Sequence, residues 1–261
     1  STRVISFFHN IEFEFQKERV KQDGFFYAIT AAAEYLNEKL STHYSNLLLM
    51  LTQEDSKKSK LLYGRHADYI TPVVFDTNYI PDLPKRNDKK IFLFVGSNFF
   101  ANRQAVDFII HKISPLIKDE AGIEIWIAGS GFSASGWGKE LPANVKMFGR
   151  VEDLVPLYQA ACAIITPIFS GAGMKVKVAE SLMHGRPVIG TALSLRGYLE
   201  STPLPHLIQA ETAQEFKHAM EAFSTNQEDL TKSSYQDFER RFSKQSGLTR
   251  MKSILKEKID A

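Results

Sequence analysis

The segment Ile164–Thr191, IITPIFSGAGMKVKVAESLMHGRPVIGT, decides the fold. An apolar run of strand length leads into a glycine-rich turn, a helical stretch follows, and a second apolar run closes the segment. That order is one crossover unit of a parallel sheet. Glycines at Gly171 and Gly173 let the backbone approach a ligand closely, and a helix that starts behind them presents unpaired N–H groups, which suit an anion. Lys175 and Lys177 stand in its first turns with Glu180 three residues further on, so a cation for phosphate and a carboxylate for a pair of sugar hydroxyls come close together. His184, Gly185 and Pro187 read as helix termination.

Working outward, Ile91–Val95 is a continuous apolar strand followed by Gly96 and Ser97, and a helix is expected from about Asn102 to Ile117. Its buried face is expected to hold Ile109, Ile110, Ile113, Leu116 and Ile117. Ile123–Ala128 ends in Gly129, Ser130 and Gly131, and Val145–Phe148 ends in Gly149, Arg150 and Val151. Strand ends gather on one edge of a parallel sheet, so these turns should converge with the one spanning 170–177. Leu207–Ala210 adds a late strand, and the remainder reads as helical.

Before this region, Val4–Phe8 reads as a short buried strand with His9 and Asn10 at its carboxyl end. A helical pattern covers Gly24–His43, Leu47–Leu51 is a buried strand, Thr52 with Glu54 and Asp55 opens a helix, and Asp68–Val74 is a last short strand. Glu12 and Glu14 read as a solvated segment. Three strands make only the second half of a Rossmann-like domain, so a preceding half is expected. Pro81, Pro84, Lys85, Arg86, Lys89 and Lys90 mark a polar linker. The expected organisation is residues 1–75 as a partial first domain, 76–90 as linker, 91–225 as a complete nucleotide-binding domain, and 226–261 as C-terminal helices.

Composition narrows the function. The 261 residues are 44% hydrophobic, and 32 basic against 30 acidic residues leave a net charge of +2, which gives no general case for nucleic acid as a partner. The single cysteine, Cys162, lies in an apolar run and reads as core, with no framework for disulfides or a cysteine metal site. No apolar run reaches the ~20 residues of a membrane-spanning helix, though peripheral association stays open. A reducing, cytoplasmic setting is expected, at the inner face of a membrane if the protein associates with one.

The blocks FVGS at Phe94–Ser97, IAGSG at Ile127–Gly131, FGRVEDLVPLYQAA at Phe148–Ala161, SGAGMKVKVAE at Ser170–Glu180 and SLMHGRPVIGT at Ser181–Thr191 resemble the retaining nucleotide-sugar glycosyltransferases of family 4. The resemblance implies an α/β fold of the GT-B type, two facing Rossmann-like domains with the last helices crossing back to the first. It also implies a nucleoside diphosphate sugar as donor and a glycan or lipid-linked acceptor. It assigns the diphosphate to Ser170, Gly171, Ala172, Gly173, Met174, Lys175 and Lys177, the ribose to Glu180 and the nucleobase to the backbone of Gly149–Val151. Gly96, Ser97, Gly129 and Ser130 complete the donor site. His9 resembles the strand-end histidine that contacts the donor sugar or reacting phosphate across the cleft. Many relatives carry basic residues after the first strand, where this chain has Ser97 and Arg103; Arg103 keeps the diphosphate role or is a solvated helix residue.

One departure concerns the two glutamates, eight positions apart, that the family often carries. Glu180 fits the second, whereas the first falls on Ala172, as in a subgroup with a small residue there and a lysine at Lys177. The expected reaction is retaining sugar transfer, with Lys177 and His9 as catalytic residues, no divalent metal and no further cofactor. A GT-B nucleotide-sugar epimerase and a non-catalytic nucleotide-binding module remain as alternatives, separable by donor turnover without acceptor and by binding without turnover.

Overall fold

The computed structural model describes residues 3–76, 89–117, 122–133, 141–199, 203–223 and 228–259. The chain divides into two compact units, residues 1–76 with 170–174 and 241–261, and residues 77–169 with 175–240. Pro81, Pro84, Lys85 and Arg86 of the expected linker lie outside the described residues. Lys89 and Lys90, counted with that linker, instead fasten the second sheet: Lys89 pairs with Glu124 at 2.5 Å, and the Lys90 ammonium donates to the Glu221 carbonyl at 2.8 Å.

The first unit holds β1 (Ile5–Phe8), α1 (Glu12–Asp23), α2 (Tyr27–Tyr44), β2 (Leu47–Met50), α3 (Gln53–Tyr63) and β3 (Tyr69–Ile70). The three strands are parallel in the order β1-β2-β3. Only β2, paired on both sides, is buried throughout. β1 was expected to be buried, but it is an edge strand, and Ile5 and Phe7 stay 49% and 44% exposed. β3 is shorter than the expected Asp68–Val74, since Pro72 cannot donate to a ladder, and the chain passes on to a bridge between Phe75 and Ser243.

Glu12 and Glu14, read as a solvated segment, are half-buried and begin α1. The start of that helix is fixed from elsewhere in the chain. The Glu38 carboxylate on α2 accepts the Glu12 and Phe13 N–H groups at 2.7 and 3.1 Å and the Tyr63 hydroxyl at 2.6 Å. Burial raises the pKa of Glu38, and these three donors oppose the rise. Thr52 caps α3 as read, its hydroxyl accepting the Asp55 N–H.

The second unit runs β4 (Lys90–Val95), α4 (Phe100–Phe108), a π-helical turn at Ile109–Ile113, α5 (Ser114–Ile117), β5 (Ile123–Ala128), β6 (Val145–Gly149) and α6 (Val155–Ala160). It continues with β7 (Ala163–Thr166), α7 (Val176–Met183), β8 (Val188–Gly190), β9 (Leu207–Gln209), α8 (Ala213–Ala222) and α9 (Glu228–Arg241). Its six strands are parallel in the order β6-β5-β4-β7-β8-β9, the arrangement of dinucleotide-binding sheets, whose order reverses between β4 and β7. Phe92, Phe94, Ile125, Ile127, Ile165 and Ile189 from the strands pack with Ile109, Ile113, Phe216 and Met220 from the helices. Leu116 is 39% exposed, contrary to expectation, because the π turn before Pro115 shifts the helix face that reaches the core. The last helix, α10 (Lys244–Ile259), belongs to the first unit, where Ile254 and Met251 pack on Leu47, Leu49 and Tyr69. The stretch 226–261 is thus shared between the two units.

Candidate functional site

In open parallel sheets, ligands bind beyond the carboxyl ends of the strands where the strand order reverses. The chain's glycine turns lie at those ends, and backbone bonds tie three of them together. Gly96 N–H donates to the Ala128 carbonyl at 3.0 Å, Gly129 N–H to the Gly149 carbonyl at 2.7 Å, and Asn98 N–H to the Ser130 carbonyl at 2.9 Å. Gly129 has φ +147°, and a Cβ there would sit 1.7 Å from the Gly96 carbonyl oxygen, so no side chain fits. These bonds join the turns at Gly96–Asn98, Gly129–Ser130 and Gly149; of the turns expected to converge, 129–131 and 149–151 are tied in this way. Arg150 and Arg103 are exposed and Val151 is half-buried, while Asn102, beside Arg103, donates to the Ser97 carbonyl.

Lys177 stands in the first turn of α7, and its ammonium reaches the turn after β4. It donates to Asn102 Oδ1 at 2.8 Å and lies 4.3 Å from the centre of the Phe94 ring. A Cβ on Gly96 would be 3.0 Å from that ammonium. Burial of the charge, with repulsion from Lys175 added, lowers the Lys177 pKa from 10.5 to about 7, against the opposing pull of Glu180. A cation so placed gains most from an arriving anion, because its own surroundings leave the charge poorly compensated.

Glu180, one turn further along α7, is half-buried. Its carboxyl pKa is raised by burial, while the Tyr158 hydroxyl and the Lys177 charge act to lower it. Tyr158 is fully buried and stacks on His184 with ring centres 4.1 Å apart. Arg186, also fully buried, donates from Nε to the Tyr158 carbonyl at 2.7 Å. At the other end of α7, the Tyr198 hydroxyl accepts the Ala179 N–H at 3.2 Å and donates to the Lys175 carbonyl at 2.8 Å. These contacts fix the helix that carries Lys175, Lys177 and Glu180. His184 caps it as read, with Gly185 at φ +65° and the Arg186 N–H returning to the Ser181 carbonyl at 2.9 Å.

Ser170, Gly171, Ala172, Gly173 and Met174 group with the first unit. There the Gly171 N–H, expected to face a phosphate, donates to the Glu18 carboxylate of α1 at 2.6 Å. A Cβ at Gly173 would come 2.8 Å from that of Asn10 and 3.4 Å from the His9 carbonyl oxygen. His9 itself is exposed at the end of β1, its ring edge-on to Phe7 at 4.9 Å. It lines a pocket of about 440 Å³ with Leu51, Thr71, Val74, Leu248 and Met251.

Sequence reasoning missed Asn102, Tyr158 and Glu18. Asn102 carried a readable signal, since it opens the helix behind the Gly96 turn; Glu18 and Tyr158 carried none. Among the described residues, no group of three or more His, Cys, Asp or Glu side chains is placed to hold a metal ion, and no helix is long and apolar enough to cross a membrane.

Residues 89–226 match the family model described as glycosyl transferases group 1. A Klebsiella pneumoniae protein described as an uncharacterized 44.6 kDa protein in the cps region is 26% identical over 190 residues, which cover 68% of this chain and 46% of that protein. The chain therefore spans about half the length of that relative. Sucrose-phosphate synthase from Thermosynechococcus elongatus shares the fold at a TM-score of 0.72 and 16% identity, over 98% of this chain and 68% of that one. Anabaena Alr3699/HepE, solved with UDP and glucose, does so at 0.67 and 14% identity, over 97% of this chain and 71% of that one. The chain belongs to the glycosyl transferases group 1 family and has the GT-B type of α/β fold.

Proposed function

We propose that this chain is the donor-binding part of a glycosyltransferase that moves a sugar from a nucleoside diphosphate sugar to an acceptor hydroxyl, with retention of anomeric configuration. The observation that carries this reading is the Lys177 ammonium held at the Gly96–Ser97 turn, beyond the strand ends where the sheet order reverses. Departure of the diphosphate builds negative charge on its oxygens, and a pre-placed, desolvated cation stabilises that charge more than it stabilises the bound donor. In this reading Lys177, with Lys175 beside it, bears on the leaving diphosphate without a divalent metal. Glu180 accepts from the ribose hydroxyls, and the Gly149–Val151 backbone meets the nucleobase. His9 serves turnover and not nucleotide affinity.

The relative in a cps region favours polysaccharide synthesis, of a capsule or a related glycan, with a glycan or lipid-linked acceptor at the cytoplasmic face of a membrane. Thermal shift and calorimetry with a panel of nucleoside diphosphates test the donor site. Binding of one diphosphate in preference to its monophosphate is expected, and binding of none would overturn the reading. In the full-length protein, EDTA should leave transfer intact, and NMR of the product should show the donor's anomeric configuration.

A further inference from the structure

We propose that Asn102 is a positioning residue, whose side-chain amide holds the Lys177 ammonium at the Gly96–Ser97 turn and thereby sets where that cation meets the donor's diphosphate. The inference rests on the reading of Lys177 above and extends it to a residue outside the family blocks quoted from the sequence. Asn102 is 4% exposed and uses both ends of its amide. Nδ2 donates to the Ser97 carbonyl at 2.7 Å, and Oδ1 accepts from Lys177 at 2.8 Å. The orientation of the amide is unambiguous, because a carbonyl can only accept and an ammonium can only donate.

Lysine is a point charge on a flexible four-carbon stem and, left alone, samples many positions. Here its stem leaves α7 and its head is fixed from α4, the helix that follows the neighbouring strand. Asn102 takes one of the three ammonium N–H bonds, and the Phe94 ring lies under the head. A cation fixed before the ligand arrives loses less freedom on binding, which is the general advantage of preorganisation. The side chain is neutral, so it orients the charge without cancelling it. Among the described residues, the charged groups that act on Lys177 are Lys175 and Glu180 of its own segment, and Asn102 faces it from α4.

The test compares the wild type with Asn102→Ala and Asn102→Asp in calorimetric titrations with UDP, GDP and pyrophosphate between pH 6 and pH 9. Both variants lose the donation to Ser97, so a turn-bracing role alone would lower the melting temperature of both and leave the pH midpoint of binding at the wild-type value. A positioning role moves that midpoint in opposite directions. The carboxylate of Asn102→Asp holds the proton on Lys177 and shifts the midpoint up by about one unit or more, whereas Asn102→Ala removes an acceptor for the charged form and shifts it down. Asn102→Ala should also weaken binding about tenfold at pH 6.5. One common midpoint in all three proteins would overturn the proposal, and if Asn102→Ala does not fold, Asn102→Asp against the wild type decides it. If the wild type binds none of the three probes, the donor-site reading fails by itself. NMR titration of ε-13C-labelled lysine then still tests Asn102, with the Lys177 pKa expected in the order Asp above Asn above Ala and an unchanged value counting against it.

Discussion

Two glycine turns follow the two central strands of the larger sheet, and they are tied to opposite charges. The turn after β4 has the Lys177 ammonium beside Gly96, whereas the turn after β7 gives its Gly171 N–H to the Glu18 carboxylate. In sequence both read alike, as a strand, a small-residue turn and a helix, and a backbone N–H in such a turn donates to any anion within reach. The neighbouring side chain decides which anion that is. In the proposed reading the turn beside the cation takes a ligand's phosphate, whereas the Gly171 N–H already has a carboxylate of the protein as its acceptor.

The largest effect expected from breaking this contrast is at Gly129, which the turn after β4 requires without a side chain. Gly129→Val places a branched side chain at φ +147° and drives its Cβ into the Gly96 carbonyl. It should cost about 3 kcal/mol or more, enough to lower the melting temperature by several degrees or abolish folding. A Gly129→Val protein that melts like the wild type would mean that the turn is not packed as described. Next in size are two variants that should fold. Lys177→Met keeps the stem and removes the charge, and should weaken nucleoside diphosphate binding about 10- to 100-fold in calorimetry. Gly96→Ala should reproduce part of that loss, because its Cβ would meet Asn102 Nδ2 at 2.6 Å and Lys177 Nζ at 3.0 Å, both able to move aside but only out of position. Full affinity in either variant would remove the cation from the site.

A third, smaller effect follows from the Lys177 pKa of about 7. Below pH 7 the ammonium is charged and ready for a diphosphate; above it, binding must first draw a proton from solvent. Affinity should therefore be flat toward pH 6 and fall above pH 7 with a slope approaching tenfold per unit, with proton uptake visible in buffers of different ionisation enthalpy. Stability responds with the opposite sign. The unfolded chain keeps this proton up to the ordinary lysine value of 10.5, so between about 7 and 10.5 the unfolded state binds more protons and this group's contribution to folding stability rises with pH. A slope unchanged in Lys177→Met would assign the pH dependence elsewhere.

How much could be read beforehand depended on where the determining contact lay. β4, β7 and β8 were legible because strands buried on both faces read as nearly unbroken apolar runs, and β5 was legible although Glu124 interrupts it. β1 has the same composition but lies at the edge of the described three-stranded sheet, and apolar letters do not say whether a neighbour pairs on each side. α1 was missed because its first N–H groups are satisfied by Glu38, which lies 26 residues beyond Glu12 in the chain. Within the site, Gly96, Gly129, Lys177 and Glu180 stood out by residue type and spacing. On the neighbouring helix Arg103 drew attention for its charge and is exposed, while Asn102 beside it is buried and makes the contact with Lys177. Which face of a helix meets a neighbour is decided by packing, and one residue is 100° of rotation.

The smallest expected effect concerns the other turn, and here the sign matters more than the size. Glu18→Ala leaves the Gly171 N–H without its acceptor and should cost about 1 to 2 kcal/mol, seen as a modest drop in melting temperature. Glu18→Gln should recover most of it, because an amide carbonyl still accepts that N–H while the negative charge is gone. If the turn is a structural tie, both variants bind nucleoside diphosphate and pyrophosphate as the wild type does, since the cation at the other turn is untouched. If instead Glu18 stands in for a ligand's phosphate, removing its charge frees an anion site, and pyrophosphate should bind more tightly to both variants. Calorimetry at pH 6.5, where most of Lys177 is charged, separates the cases: unchanged affinity with lowered stability preserves the contrast between the turns, and a gain in affinity makes the two turns alike.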